Sequence, residues 1–131
     1  LVGSEMCIRD RPKEAVMVYA DGDRMYRVFQ NLIGNALKYS LEGSRIYISL
    51  KTEKNAAVAD IRNTSRSELK QDVDFTARFT RGDESRTDGG SGLGLSIAKS
   101  FTEACGGTFE VETMADLFTV KVSFEQKKCN V

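Results

Sequence analysis

No histidine occurs anywhere in the 131 residues, and the acidic and basic side chains cancel at 19 each. The charge balance leaves no whole-chain field to draw in nucleic acid or an anionic membrane, so neither is expected as a partner and any basic function must be local. The three cysteines, Cys7, Cys105 and Cys129, form no CxxC pair. A zinc site or disulfide framework would need more of them or histidine partners, so a reducing, cytoplasmic setting is expected. No apolar run approaches the roughly 20 residues that span a bilayer, although the parent protein is open to being membrane-anchored elsewhere. The length suits one domain with a real core and is too short for two.

Leu1 to Arg11, LVGSEMCIRDR, resembles a peptide produced when sequencing-adapter DNA is translated. It is set aside from fold reasoning, and residues 12–131 are expected to be a single domain truncated upstream. Ala15 to Tyr19 is short, apolar and partly β-branched, which predicts a strand leading into a helix with Asp21 or Asp23 as N-cap. Met25, Val28, Phe29, Leu32, Ile33, Ala36 and Leu37 recur at helical spacing, predicting an amphipathic helix that ends near Tyr39. Ile46, Ile48 and Leu50, then Ala57, Ala59 and Ile61, alternate about a Glu-Lys-Asn turn at 53–55 and read as a hairpin. Residues 64–91 are polar and mostly aperiodic; a loop of that length in a compact domain is usually functional. Helical periodicity resumes from Ser91 to Cys105 and stops at Gly106-Gly107. Two alternating runs follow, Phe109 and Val111, then Phe118, Val120, Val122 and Phe124. The predicted fold is α/β, a two-layer sandwich of a mixed sheet with helices on one face.

Two features carry chemistry. Asn31, Asn35 and Lys38 share one flank of the first helix. Amide oxygens are neutral hard ligands for Mg²⁺ and a lysine is a point charge for phosphate, so this flank suits a metal-nucleotide complex, while a solvated helix face has the same composition. Asp88 to Leu95 places Gly90, Gly92 and Gly94 where the second helix begins. Glycines let backbone N–H groups close on an anion at a helix N-terminus, and a flexible linker or helix-entry turn is equally compatible. The P-loop pattern GxxxxGK[ST] is absent. A dinucleotide fingerprint should follow a buried strand, whereas ARFTRGDESRTD precedes these glycines. What remains is a polar loop ending on a phosphate-binding helix start, the arrangement of a lid over a nucleotide.

Three blocks together resemble the catalytic domain of bacterial sensor histidine kinases. RVFQNLIGNALKYS (27–40) is similar to that family's asparagine box, DFTARFTRGDESR (74–86) to its phenylalanine box, and GGSGLGLSIAK (89–99) to its glycine-rich lid. The resemblance covers Val16 to Phe124 and implies the Bergerat (GHKL-type) ATP-binding sandwich, with ATP and Mg²⁺ as cofactors. It implies that Asn31 and Asn35 coordinate Mg²⁺, Lys38 reaches the phosphates and Tyr39 packs by the adenine. It further implies that Gly90, Gly92, Leu93 and Gly94 form the lid's cradle and that Phe75 and Phe79 pack under the lid. Arg78, Arg81 and Arg86 are candidates for phosphate or the partner domain. One departure stands out: where the family carries D-x-G-x-G, this chain reads Asn63-Thr64-Ser65-Arg66-Ser67. Asn63 thus takes the place of the adenine-reading aspartate, and Asp60 or a backbone group is the alternative reader.

In the family's ATPase branch a glutamate one turn before the magnesium asparagine activates water; position 31 is an amide and cannot accept that proton. The resemblance therefore implies transfer of the γ-phosphoryl group to a histidine on a separate dimerisation domain of the same parent, and through it to a response regulator receiver domain. The fragment alone is expected to be monomeric and inactive, since it has no acceptor histidine. The rival readings are a degenerate docking module without kinase activity, an anti-sigma-factor serine kinase, and a hydrolase of the chaperone or topoisomerase type. The last two would carry an acidic residue at position 31.

Overall fold

Among the described residues, alternating and helical apolar patterns combine into a five-stranded mixed sheet with two helices against one face. The computed structural model describes residues 5–69, 74–76 and 94–126. Along the chain run β1 (Glu5–Asp10), α1 (Gly22–Tyr39), β2 (Arg45–Glu53), β3 (Ala56–Thr64), α2 (Gly94–Ala104), β4 (Thr108–Met114) and β5 (Leu117–Glu125). The sheet order is β1-β2-β3-β5-β4. The β1/β2 pair is parallel and the other neighbours are antiparallel.

Helix α1 starts where Asp21 accepts hydrogen bonds from the backbone N–H groups of Asp23 (3.0 Å) and Arg24 (3.2 Å), which satisfies two of the donors a helix N-terminus leaves open. Its buried stripe is Val28, Leu32 and Ala36. With Ala98 of α2 that stripe covers Ile46, Ile61, Phe109, Phe118, Val120, Val122 and Phe124 of the sheet. The β2–β3 hairpin turns through Lys54 and Asn55 with φ of 49° and 66°, the left-handed pair whose twist matches that of the strands it joins. Helix α2 stops at Gly106, φ 87°. There Gly107 donates to the Thr102 carbonyl at 2.9 Å, a left-handed C-terminal cap.

The strand predicted at Ala15 to Tyr19 does not form. Only Val18 bridges Gln126. The edge of β2 that faces away from β3 is taken by Glu5–Asp10 and both edges of β3 are filled, so this segment has no place beside β2 or β3 and serves as the connection into α1. A ladder is a main-chain interaction that any extended peptide supplies. In β1, Met6 and Ile8 are 46% and 66% exposed.

Side chains alternate across a strand, so the sheet's other face carries Asp60, Lys121, Glu110 and Glu112. Lys121 lies in register with Asp60 and with Glu110 and reaches Glu112 at 3.3 Å. Its hydrogen bond to Glu112, the charge of Glu112, and then the carboxylates of Asp60 and Glu110 hold its ammonium above the usual lysine range. This face is a charge ladder whose Glu110 and Glu112 are exposed while Asp60 and Lys121 are half-buried, with Asp60 Oδ1 shielded from solvent and unpartnered among the described residues.

Thr102 of α2 is fully buried and its hydroxyl has no hydrogen-bond partner among the described residues. A buried unsatisfied hydroxyl costs about 1 kcal/mol or more. Thr102→Val is expected to raise the urea midpoint by the equivalent of about 1 kcal/mol; a lowered midpoint would show that the hydroxyl has a partner the fold depends on.

Candidate functional site

The polar flank of α1 borders its core stripe. At 3.6 residues per turn, Asn31 and Asn35 stand one turn apart and Lys38 follows on the same side. Asn31, Asn35, Lys38 and Tyr39 are all half-buried, whereas Gln30 is exposed. Their partial burial places them at the border between the core stripe and the exposed face of α1. The Lys38 ammonium sits 5.5 Å from the centre of the Tyr39 ring, within cation–π range.

The C-terminal end of α1 is stitched to the end of β3. Leu41 N–H donates to the Thr64 carbonyl at 2.7 Å, Ser40 bridges Ser65, and the Arg66 guanidinium donates to the Lys38 carbonyl at 2.8 Å. These ties bring Lys38 and Tyr39 to the same end of the sandwich as Asn63. Asn63 is only 3% exposed and shares the helix-facing side of β3 with Ile61. Asp60, three residues earlier, projects from the opposite face beside Lys121. The two candidate adenine readers therefore lie on opposite sides of the sheet.

Phe118, the register partner of Asn63, meets Phe75 edge-on with ring centres 5.2 Å apart and planes at 82°. Phe75 thus packs against the core next to Asn63. Gly94 opens α2. Among the described residues, a Cβ added there would meet nothing within 4 Å, so packing does not demand glycine at that point. Arg78, Phe79, Arg81, Arg86, Gly90, Gly92 and Leu93, and with them the predicted lid, lie outside the described residues.

Arg66 was not among the residues singled out from the sequence. Its only sequence signal is its place in the stretch where the family motif is lost, since a contact from a residue past β3 to a carbonyl of α1 has no local pattern. Among the described residues no three histidine, cysteine, aspartate or glutamate side chains cluster as metal ligands. In the same set no helix is long and apolar enough to cross a membrane.

A family profile described as histidine kinase-, DNA gyrase B-, and HSP90-like ATPase matches residues 20–127. The sensor histidine kinase WalK of Bacillus subtilis is 38% identical over 105 residues, which is 76% of this chain and 17% of that protein. The mycobacterial sensor histidine kinase MprB superposes with a TM-score of 0.76 at 22% identity, over 96% of this chain and 84% of that one. Full-length ShkA in complex with AMPPNP gives 0.77 at 20% identity, over 98% and 27%. At those identities the structural likeness shows the fold. The chain spans about a sixth of the length of WalK.

Proposed function

This chain belongs to the histidine kinase-, DNA gyrase B- and HSP90-like ATPase family, and from that premise we propose that it binds Mg-ATP and donates the γ-phosphoryl group to a histidine on a separate dimerisation domain of its parent. A response regulator receiver domain would then take the phosphoryl group from that histidine. The observation that carries this reading is the half-buried flank of α1 with an amide, Asn31, one turn before Asn35. It offers neutral oxygen donors for a cation and no carboxylate to activate water.

The donor set fits Mg²⁺, which is usually held by few protein oxygens together with phosphate and water. Asn31 and Asn35 would supply the protein's share, and the bound metal would neutralise phosphate charge. Lys38 adds a second positive charge on the same flank. Tyr39 and Asn63 would orient the base. Gly94, with no side chain and no neighbour within 4 Å of an added Cβ among the described residues, would let phosphate oxygens approach the N–H groups that begin α2. Arg78, Arg81, Gly90, Gly92 and Leu93 would close the site from the lid, over Phe75 and Phe79. Transfer forms a nitrogen–phosphorus bond to the histidine and breaks the bond to the β,γ-bridging oxygen, releasing ADP. With no nucleophile of its own, the protein works by positioning and charge neutralisation. The complex of ShkA with AMPPNP supports an adenine nucleotide as ligand.

The test uses γ-labelled ATP. The chain alone is expected to incorporate no label and to turn over little ATP, and to label an added histidine-bearing dimerisation domain of its parent. Rapid hydrolysis by the chain alone, lost on substituting Asn35, would point to the ATPase branch. Absence of any Mg-ATP binding would point to a docking module instead.

A further inference from the structure

Arg66 makes a contact whose consequences reach the nucleotide site. The last carbonyls of a helix lack intrahelical donors. In α1, Ser40 N–H still bonds the Ala36 carbonyl at 3.0 Å, but Leu41 N–H turns away to the Thr64 carbonyl at 2.7 Å. The Lys38 carbonyl, past the last intrahelical donor, accepts from Arg66 Nη2 at 2.8 Å. This bond is charge-assisted and places a cation at the negative end of the helix dipole. The base of Arg66 is itself anchored, because Ser65 N–H donates to the Asp116 carbonyl at 2.7 Å and Leu69 N–H to the Ala115 carbonyl at 2.9 Å. Both acceptors lie in the β4–β5 turn, so the guanidinium extends from a segment pinned to the sheet.

We infer that Arg66 is a positioning residue: it holds the last turn of α1, and with it Lys38 and Tyr39, in fixed register with Asn63 on β3. The inference rests on the nucleotide-site reading above. The bridge between Ser40 and Ser65 and the bond from Leu41 are main-chain ties that many sequences would make. The Arg66 tie depends on residue type. A planar guanidinium reaching one carbonyl from a fixed base restrains direction as well as distance. Without it, the Lys38 carbonyl loses a charge-assisted hydrogen bond and the last turn of α1, with Lys38 and Tyr39, is held less firmly against the end of β3.

The test compares Mg-ATP affinity in the wild-type chain, Arg66→Ala, Arg66→Lys, Lys38→Ala and the double variant Arg66→Ala/Lys38→Ala, with amide exchange at Ser40 and Leu41 as a structural readout. Arg66→Ala is expected to weaken binding about fivefold, the equivalent of one ordinary hydrogen bond, and to speed exchange at those two amides. Arg66→Lys should recover only part of the affinity, because an ammonium can donate to the carbonyl without fixing its direction; a folding defect alone would not predict partial rescue by a cation. In the Lys38→Ala background, removing Arg66 should cost less than in the wild type, leaving only the part that acts through Tyr39. Wild-type affinity in Arg66→Ala would overturn the inference, as would a full additional loss in the double variant, which would place Arg66 on the nucleotide itself. Failure of the wild-type chain to bind nucleotide would overturn the underlying reading, a result distinguishable from both.

Discussion

Replacing Asn35 with alanine is expected to lower Mg-ATP affinity by roughly tenfold to a hundredfold, the range for losing an interaction with a charged group. Asn35 sits beside the buried Ala36 on a helix whose stripe is anchored by Val28 and Leu32. Its backbone therefore stays in place when the amide is removed. Its own side chain is only half-buried, so truncation opens no sealed cavity, and far-UV circular dichroism should match the wild type. The effect should depend on the metal. Titration with ATP in the presence of a magnesium chelator should show wild type and variant binding with similar, weak affinity. If the variant loses as much affinity without magnesium as with it, Asn35 holds the nucleotide directly or supports the fold, and the metal assignment fails.

The proposed role of Asn35 came from the family resemblance, whereas its place on α1 was legible in the sequence because a helix repeats on a period that a reader can count. The same is true of both ends of α1, where Asp21 caps and Tyr39 closes, and of the hairpin through Lys54 and Asn55. Legibility ends where structure depends on which partners are still free. Ala15 to Tyr19 has the composition of a strand, yet Glu5–Asp10 already pairs with the β2 edge, and strand propensity yields to tertiary context. Pairing across the sheet is equally silent. Nothing local shows that Phe118 faces Phe75 at 5.2 Å, or that the Lys38 carbonyl is met by Arg66. A motif comparison assigned Asn63 its register, and strand alternation then implies that Asp60 points the other way. Which of the two faces the helices covers is decided by tertiary packing alone.

That distinction gives substitutions at Asn63 their sharpest outcome. Asn63 is 3% exposed on the helix-facing side of β3, beside the ring pair of Phe118 and Phe75, while Asp60 lies on the charged face with Lys121. A base that donates its amino group to Asn63 would lose its acceptor in Asn63→Ala. An unpaired buried donor costs about 1–3 kcal/mol, so ATP affinity should fall roughly tenfold and the preference for ATP over GTP should shrink. Asn63→Asp works in the opposite sense on binding. A charged acceptor is stronger than a neutral one by about 1 kcal/mol, which predicts roughly fivefold tighter ATP binding. Burying a carboxylate there without a partner is costly in the empty protein, so the same variant should unfold at lower urea than the wild type, with ATP restoring part of the difference. Asp60→Ala should leave base preference unchanged, because its side chain is on the far side of the sheet. Titrating ATP and GTP into the three variants, alongside urea unfolding with and without nucleotide, separates these effects. Should Asp60→Ala abolish the preference while both Asn63 variants keep it, the nucleotide would have to bind on the charged face, and the site built on α1 would be the wrong one.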